Sequence, residues 1–360
     1  MGLAGTVTAT DRPKAPERAA GPTSGARQRA RGRSVATLNG LSRFARSPAF
    51  PFATSSAVLV ALFVAGALAL PGFASVASVD SVLILASFLG FASVGETIAI
   101  LLGGVDLAIP FIVDMSNVMA PQLAHYGVPF IAAAVIALFA GTGVGCFNGY
   151  VSQRLRIHPL IVTLGVGYAV QAAVEIWTKG APSGISPYWL GRAVSIGATM
   201  GGVHIAPVLI VWAVLGACVI FGLRRTSFGR RIYAVGTNRE AARLALVDPV
   251  RIWTVGFGVG GFFASLAGLL LIGSTGGPLA TVGDSYLFLA VGAVVVGGTS
   301  LLGGRGGYGG TILGAVLITV LDTILVGLGS GEAVEELLVG TVIIAAVALF
   351  GRGPHVRDRV

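Results

Sequence analysis

Few residues in this 360-residue chain could do chemistry, since it carries only 15 acids and four histidines. Five acids stand within or beside long uncharged runs: Glu96, Asp106, Asp114, Glu175 and Asp322. A charge at the centre of a bilayer costs about 3 kcal/mol on insertion scales, so an acid there faces a cavity or a partner. Asp106 follows Gly103-Gly104 at a helix break, and it reads equally as a helix N-cap or as a polar group on a path. Asp114 comes eight residues later, which places it on about the same helix face. Asp114 and Asp322 are expected on a polar path or in an interhelical hydrogen bond. Glu96 and Glu175 fit equally well near an interface. His125, His158 and His204 are isolated and read as interfacial residues rather than ligands. Cys146 and Cys218 lie in apolar runs and read as small buried hydrophobes, with no disulfide or zinc spacing.

Those residues exclude several chemistries. A P-loop needs Gly-Lys followed by Ser or Thr. The only lysines are Lys14, before Ala15, and Lys179, before Gly180. ATP hydrolysis would therefore need a separate subunit. Gly304 to Gly309 formally matches GxGxxG, but no strand–helix unit surrounds it, so it reads as a turn. No Ser/His pair supports an intramembrane enzyme. No catalytic residue, metal or cofactor is expected.

The elements that must position these acids are apolar helices. Hydrophobic residues make up 54% and charged residues 11%, against about 25% charged in soluble domains. A soluble enzyme, a nucleic-acid binder and a disordered protein are excluded on that ground. A bilayer core of about 30 Å needs about 20 apolar residues per helix. Ten spans are predicted, at 51–72, 80–102, 107–125, 128–152, 158–178, 205–223, 252–275, 284–299, 308–328 and 334–351. The sequence thus predicts an all-α polytopic transmembrane helix bundle. The 54 glycines, with Gly141, Gly143, Gly145 and Gly149 in one span and Gly256, Gly258, Gly260, Gly261 and Gly268 in another, predict close helix packing.

The charges orient that bundle. With the amino terminus inside, 22 of 24 basic residues fall in inner segments, and only Lys179 and Arg192 fall outside. The positive-inside rule then places both termini in the cytoplasm. Residues 1–50 hold nine of the basic residues and few large apolar ones, which predicts a disordered basic tail. The transmembrane domain spans 51–351, and a short cytoplasmic tail follows at 352–360. The inner loop 224–251 holds seven arginines. A short helix is expected over 238–246 with Asn238 as its cap. The loop reads equally as a docking element for an inner partner and as a plain positive-inside loop.

Four segments in order carry a resemblance. Gly103-Gly104-Val105-Asp106-Leu107 matches GGIDLS. Asn148-Gly149, then His158-Pro159-Leu160-Ile161-Val162-Thr163-Leu164-Gly165, matches NG…PPFIxTLG. Phe228-Gly229-Arg230, Tyr233 to Asn238 and Ala241-Ala242-Arg243-Leu244 match FGRxxyAiGgNxxAArl. Gly297-Gly298-Thr299-Ser300-Leu301 with Gly303-Gly304 matches GGTSLxGG. From about residue 80 to 350 the chain resembles the permease subunits of bacterial ATP-binding-cassette importers of the ribose/xylose type, related to the branched-chain amino-acid permeases. Departures from that pattern are Ala108-Ile109-Pro110, Ala245-Leu246 and Asp322-Thr323.

The resemblance implies a multi-pass inner-membrane subunit that performs no covalent chemistry. Two permease subunits, identical or different, would form the path. ATPase subunits would dock on the coupling loop through Phe228, Gly229, Arg230, Gly236, Asn238, Glu240, Ala241, Ala242 and Arg243. An extracytoplasmic binding protein would deliver the solute, and nucleic acid is no partner. The candidate path holds Asp106, Asp114, Asn148, Thr163 and Asp322. The expected solute is small and polar, a monosaccharide first. A branched-chain amino-acid or nucleoside importer remains open, as does an ion-coupled secondary transporter using Asp106, Asp114 or Asp322.

Overall fold

Uncharged runs of this length must satisfy their backbone polar groups internally, and a helix does so within one segment. The computed structural model describes residues 50–198 and 205–350, and among these every regular element is a helix. The chain divides into two units, Met1–Phe50 and Pro51–Val360. The basic tail lies outside the described residues, as do His204 and the carboxyl-terminal segment.

The first helices are α1 (Phe50–Ala69), α2 (Val76–Leu101), α3 (Ile109–His125), α4 (Phe130–Arg154) and α5 (Pro159–Thr178). Next come the short α6 (Tyr188–Ala193), then α7 (Pro207–Arg225), α8 (Ser227–Thr237) and α9 (Arg239–Leu244). The last are α10 (Pro249–Thr275), α11 (Tyr286–Val296), α12 (Tyr308–Gly327) and α13 (Glu332–Phe350). Each segment expected to span holds one helix. Seven of these are long and apolar enough to cross a membrane: α1, α2, α4, α5, α7, α10 and α12. Shorter apolar stretches occur in α11 and α13. Proline opens α5, α7 and α10 in the first helical turn, where its missing N–H costs nothing and its fixed φ suits the helix.

The core forms around α10, which packs against α4, α2 and α3. Small residues make that approach possible. On α4, Gly141, Gly145 and Gly149 recur every four residues and so form one stripe. A Cβ on any of them would land on α10 atoms: Ser265 Oγ, the Phe257 carbonyl and the Trp253 carbonyl respectively. Gly95 of α2 meets Gly260 of α10, where a Cβ would stand 2.8 Å from the facing Cα. Gly143, on the other side of α4, faces open space. The glycine-rich spans are therefore packed as expected: α4 uses one face, while the glycines of α10 meet α2 at Gly256 and Gly260, α4 at Gly258 and Gly261, and α3 at Gly268. A second apolar cluster joins α11, α12 and α2 through Leu89, Ile100, Val294, Ala315 and Ile318.

Two expectations need correction. Cys146 is half-buried, but Cys218 is exposed on α7 rather than buried. The stretch 226–237, expected as loop, forms α8. Thr226 caps it, accepting from the Gly229 N–H at 3.2 Å. Ile232 and Val235 are buried while Arg230 and Arg231 stay exposed, so this amphipathic helix lies on the bundle.

Candidate translocation site

The turn between α2 and α3 is built to satisfy a run of backbone donors. Gly103 adopts φ +87, a left-handed conformation suited to glycine. The chain then doubles back along α2. The Asp106 N–H donates to Glu96 Oε2 at 3.2 Å, the Leu107 N–H to Thr163 Oγ1 at 3.1 Å and the Ala108 N–H to Asp106 Oδ1 at 3.0 Å. Three successive N–H groups thus meet side-chain acceptors at the start of α3, where no intrahelical partner exists. Asp106 orders the turn before α3 rather than capping the helix, whose N-cap position is Ala108. Its Oδ2 and Glu96 Oε1 are buried and have no partner among the described residues. Glu96 is buried in the core rather than placed at an interface. Because α3 begins at Ile109, Asp106 and Asp114 do not share a helix face, contrary to the i+8 expectation.

Asp114 has a different partner. Its Oδ1 accepts from the Gly283 N–H at 2.6 Å. One turn on, Asn117 Oδ1 accepts from the Leu279 N–H at 2.8 Å, and its Nδ2 donates to the Gly268 carbonyl at 3.1 Å. Gln122 Oε1 accepts from the Ser183 N–H at 2.6 Å. These side chains lie on one stripe of α3 and fix two irregular segments. The Ser186 N–H donates to the Gly276 carbonyl at 3.0 Å, which ties the two segments together. From Gly276, level with the stretch that Gln122 holds, the chain descends along α3 to Gly283 at Asp114. Eight residues of α3 separate Gln122 from Asp114, about 12 Å at 1.5 Å per residue.

That descent explains why α11 is short. Its 11 residues span about 16 Å, half of the ~30 Å hydrocarbon thickness. The segment 277–285 precedes it as irregular backbone. Such backbone is tolerated at membrane depth only where protein buries it or it lines a water-filled cavity. Gly283 is buried, but Thr281, Asp284 and Ser285 are exposed. The amino-terminal end of α11, with its positive dipole end, opens beside them, and its Tyr286 and Leu287 N–H groups donate to the Gly283 and Asp284 carbonyls at 2.8 and 3.2 Å.

The remaining path candidates are distributed. Thr163 is fully buried and joins the Asp106 turn. Asn148 of α4 is fully buried, and both of its side-chain amide atoms lack partners among the described residues. Asp322 of α12 is half-buried and lies near Tyr286 at the start of α11. The structure therefore brings together Asp106 with Thr163, and places Asp114 and Asp322 each beside the opening of α11. Asn117 and Gln122, which hold the two irregular segments, were not among the expected path residues. Their signal was legible: Asp114, Asn117 and Gln122 recur at helical spacing in an apolar stretch.

The expected coupling loop folds as α8 and α9. Asn238 caps α9, accepting from the Ala241 N–H at 3.0 Å, as expected. Glu240 and Arg243 pair at 3.6 Å. Ala242 is buried, Ala241 is exposed and Phe228 packs on the core. Arg230 Nη1 donates to the Arg225 carbonyl at 3.1 Å. Gly236 lies against the Leu101 carbonyl, which also accepts from the Gly304 N–H at 2.9 Å. The loop thus touches the end of α2, five residues from Glu96 and its Asp106 turn. Tyr233 Oη donates to the Gly306 carbonyl at 2.9 Å. Burial raises the Tyr233 pKa above its usual value, with the Arg224 charge opposing.

A family model described as "Branched-chain amino acid transport system / permease component" matches residues 78–347. The chain is 33% identical over 307 residues to the fructose import permease protein of Rhizobium meliloti, covering 83% of this chain and 85% of that one. It is 29% identical over 298 residues to the ribose import permease protein of Escherichia coli K12, covering 81% and 90%. It is 30% identical over 307 residues to the autoinducer 2 import system permease protein of Shigella flexneri, covering 83% and 86%. No solved structure matches the chain significantly.

Proposed function

Because the chain belongs to the branched-chain amino acid transport system / permease component family, we propose that it carries a monosaccharide along a path lined by the 276–285 segment. The chain is a multi-pass inner-membrane transport component rather than an enzyme. The sugar-import names of its relatives support the solute class. The observation that carries the path is the descent of irregular backbone along α3, held by Asp114 and Asn117. Its exposed hydroxyls and carboxylate at Thr281, Asp284 and Ser285 suit a polyol. Asp106, Asp114, Asn148, Thr163 and Asp322 border the route.

In this reading the ten predicted segments all cross the membrane, α11 with the help of its irregular extension, and both termini are cytoplasmic. The basic tail 1–50 and the short tail 352–360 flank the 51–351 domain on that side. Two permease subunits enclose the path. ATPase subunits dock on α8 and α9, and a binding protein delivers solute to the outer face. ATP binding favours one orientation of the path through its differential affinity for the two states. Contact of Gly236 and Gly304 with the end of α2 offers the mechanical link.

Uptake of labelled ribose and fructose into vesicles bearing the whole system tests this. Uptake should require ATP and persist when the proton gradient is dissipated. Asn238→Ala removes the α9 cap, worth about 1 kcal/mol, and should lower both ATPase co-purification and uptake several-fold. Uptake without ATP that collapses with the gradient would instead establish an ion-coupled transporter.

A further inference from the structure

Away from the path, the turn joining α4 to α5 and the start of α9 enclose a pocket of about 460 Å³. That size suits a small-molecule ligand, for which pockets run from about 300 to 1,000 Å³. Arg156, Arg239 and Arg243 line it together with His158, and Glu240 is the one carboxylate among the lining residues. Glu240 is already paired with Arg243, and a single acid cannot neutralise three guanidiniums.

The imbalance is visible at Arg239. Desolvation lowers its pKa below the usual arginine value, and the charges of Arg243 and Arg156 lower it further against the pull of Glu240. Its Nε is buried without an acceptor among the described residues. A buried charged donor without an acceptor is costly, and like charges in one pocket add to that cost. An anion in the pocket removes both penalties.

The backbone adds to the case. Arg156 sits at φ 56, past the end of α4, where glycine usually closes a helix in the left-handed conformation. Arginine there strains the chain and gains a guanidinium in the pocket wall. His158 Nδ1 accepts from the Leu160 N–H at 3.4 Å, so the neutral ring carries its proton on Nε2 and offers a donor. Gln153 is 6% exposed, and its Oε1 has no partner among the described residues. That atom needs a donor, which a hydroxyl supplies and a simple anion does not.

Arginine forks match phosphate oxygens two at a time. Three guanidiniums less one carboxylate leave about two positive charges, which a phosphate monoester neutralises with about −1.5 to −2 at neutral pH and a phosphodiester, with about one negative charge, neutralises by half. We propose that this pocket binds a phosphate ester, its phosphate held by Arg156, Arg239 and Arg243 and a neighbouring hydroxyl by Gln153. The ester is either a soluble polyol phosphate or a phospholipid headgroup whose chains lie along the exposed Leu155 and Ile157. Arg239, Glu240 and Arg243 also belong to α9, on which the ATPase is proposed to dock, so the test separates the two uses of that helix.

Two arms test it on the purified full chain. In phosphatidylcholine nanodiscs, calorimetry measures glycerol phosphate binding. In detergent, native mass spectrometry measures retention of phosphatidylglycerol through delipidation. Arg239→Gln should weaken one arm or both at least tenfold, and Arg156→Gly should do the same. Arg156→Gly also relieves the left-handed strain, so its thermal stability should equal or exceed that of the unaltered chain. Loss in the first arm assigns a soluble ester, and loss in the second alone assigns a lipid. The proposal is overturned if neither probe binds the unaltered chain, or if both variants bind as it does. Weakened ATPase capture by Arg239→Gln with neither probe binding also overturns it, and assigns the guanidiniums to a partner's carboxylate.

Discussion

Asp114→Leu should cut uptake by about ten- to a hundred-fold while leaving the amount of chain in the membrane unchanged. The Gly283 N–H would lose its 2.6 Å acceptor, and a buried donor left unsatisfied costs about 1–3 kcal/mol. A tenfold change corresponds to about 1.4 kcal/mol, which sets the range. Asn117 still holds Leu279 and Gln122 still holds Ser183, so the bundle survives while the lower end of the irregular segment is released. Asp114→Asn separates two roles. Its amide oxygen keeps the Gly283 bond, so uptake should stay within a few-fold of normal. If asparagine is as damaging as leucine, the charge itself acts on the solute and the positioning role is wrong.

The second large effect is on assembly. Gly145→Val should remove the folded chain from the membrane, measured as the loss of a monodisperse peak in mild detergent. The new Cβ would fall on the Phe257 carbonyl of α10, where backbone cannot give way. Overpacking costs about 1–3 kcal/mol even in cores that adjust by moving side chains, and this contact falls on backbone. Gly143→Ala is the control. That position faces open space, and alanine is favoured over glycine in a helix by about 1 kcal/mol. It should purify at least as well as the unaltered chain. Equal tolerance at both positions would mean that the glycine stripe does not set the α4–α10 approach.

The helices were legible because long uncharged runs have one structural solution in lipid. Asn238 and the α9 helix were legible because a cap followed by helix formers is a local signal. The α8 helix was not, since its buried Ile232 and Val235 alternate with arginines that read as loop. The descent of 276–285 was hidden for a different reason. Its hydrogen bonds run to Asp114 and Asn117, more than 160 residues away in sequence, and nothing in the apolar run 252–283 marks where the helix stops except Gly276 and Gly277-Pro278. Asp114 itself stood out as an acid in an apolar span, but its partner is a backbone amide that no side-chain pattern announces. The reversal at Gly103 likewise moved Asp106 off the helix it was expected to share with Asp114.

The central claim is that the 276–285 segment lines a water-filled path within the membrane. Cysteine labelling reads this directly. Cys146 and Cys218 are first replaced by alanine, and a single cysteine is introduced at Thr281 or Asp284, both exposed. A second chain carries its cysteine at Phe139, exposed on α4 at 74%, as the lipid-facing control. A charged, membrane-impermeant thiol reagent is applied to intact cells. Thr281→Cys and Asp284→Cys should react, with protection by transported sugar, while Phe139→Cys stays unmodified. If the reagent leaves positions 281 and 284 as untouched as 139, the segment does not face water and the proposed path is wrong.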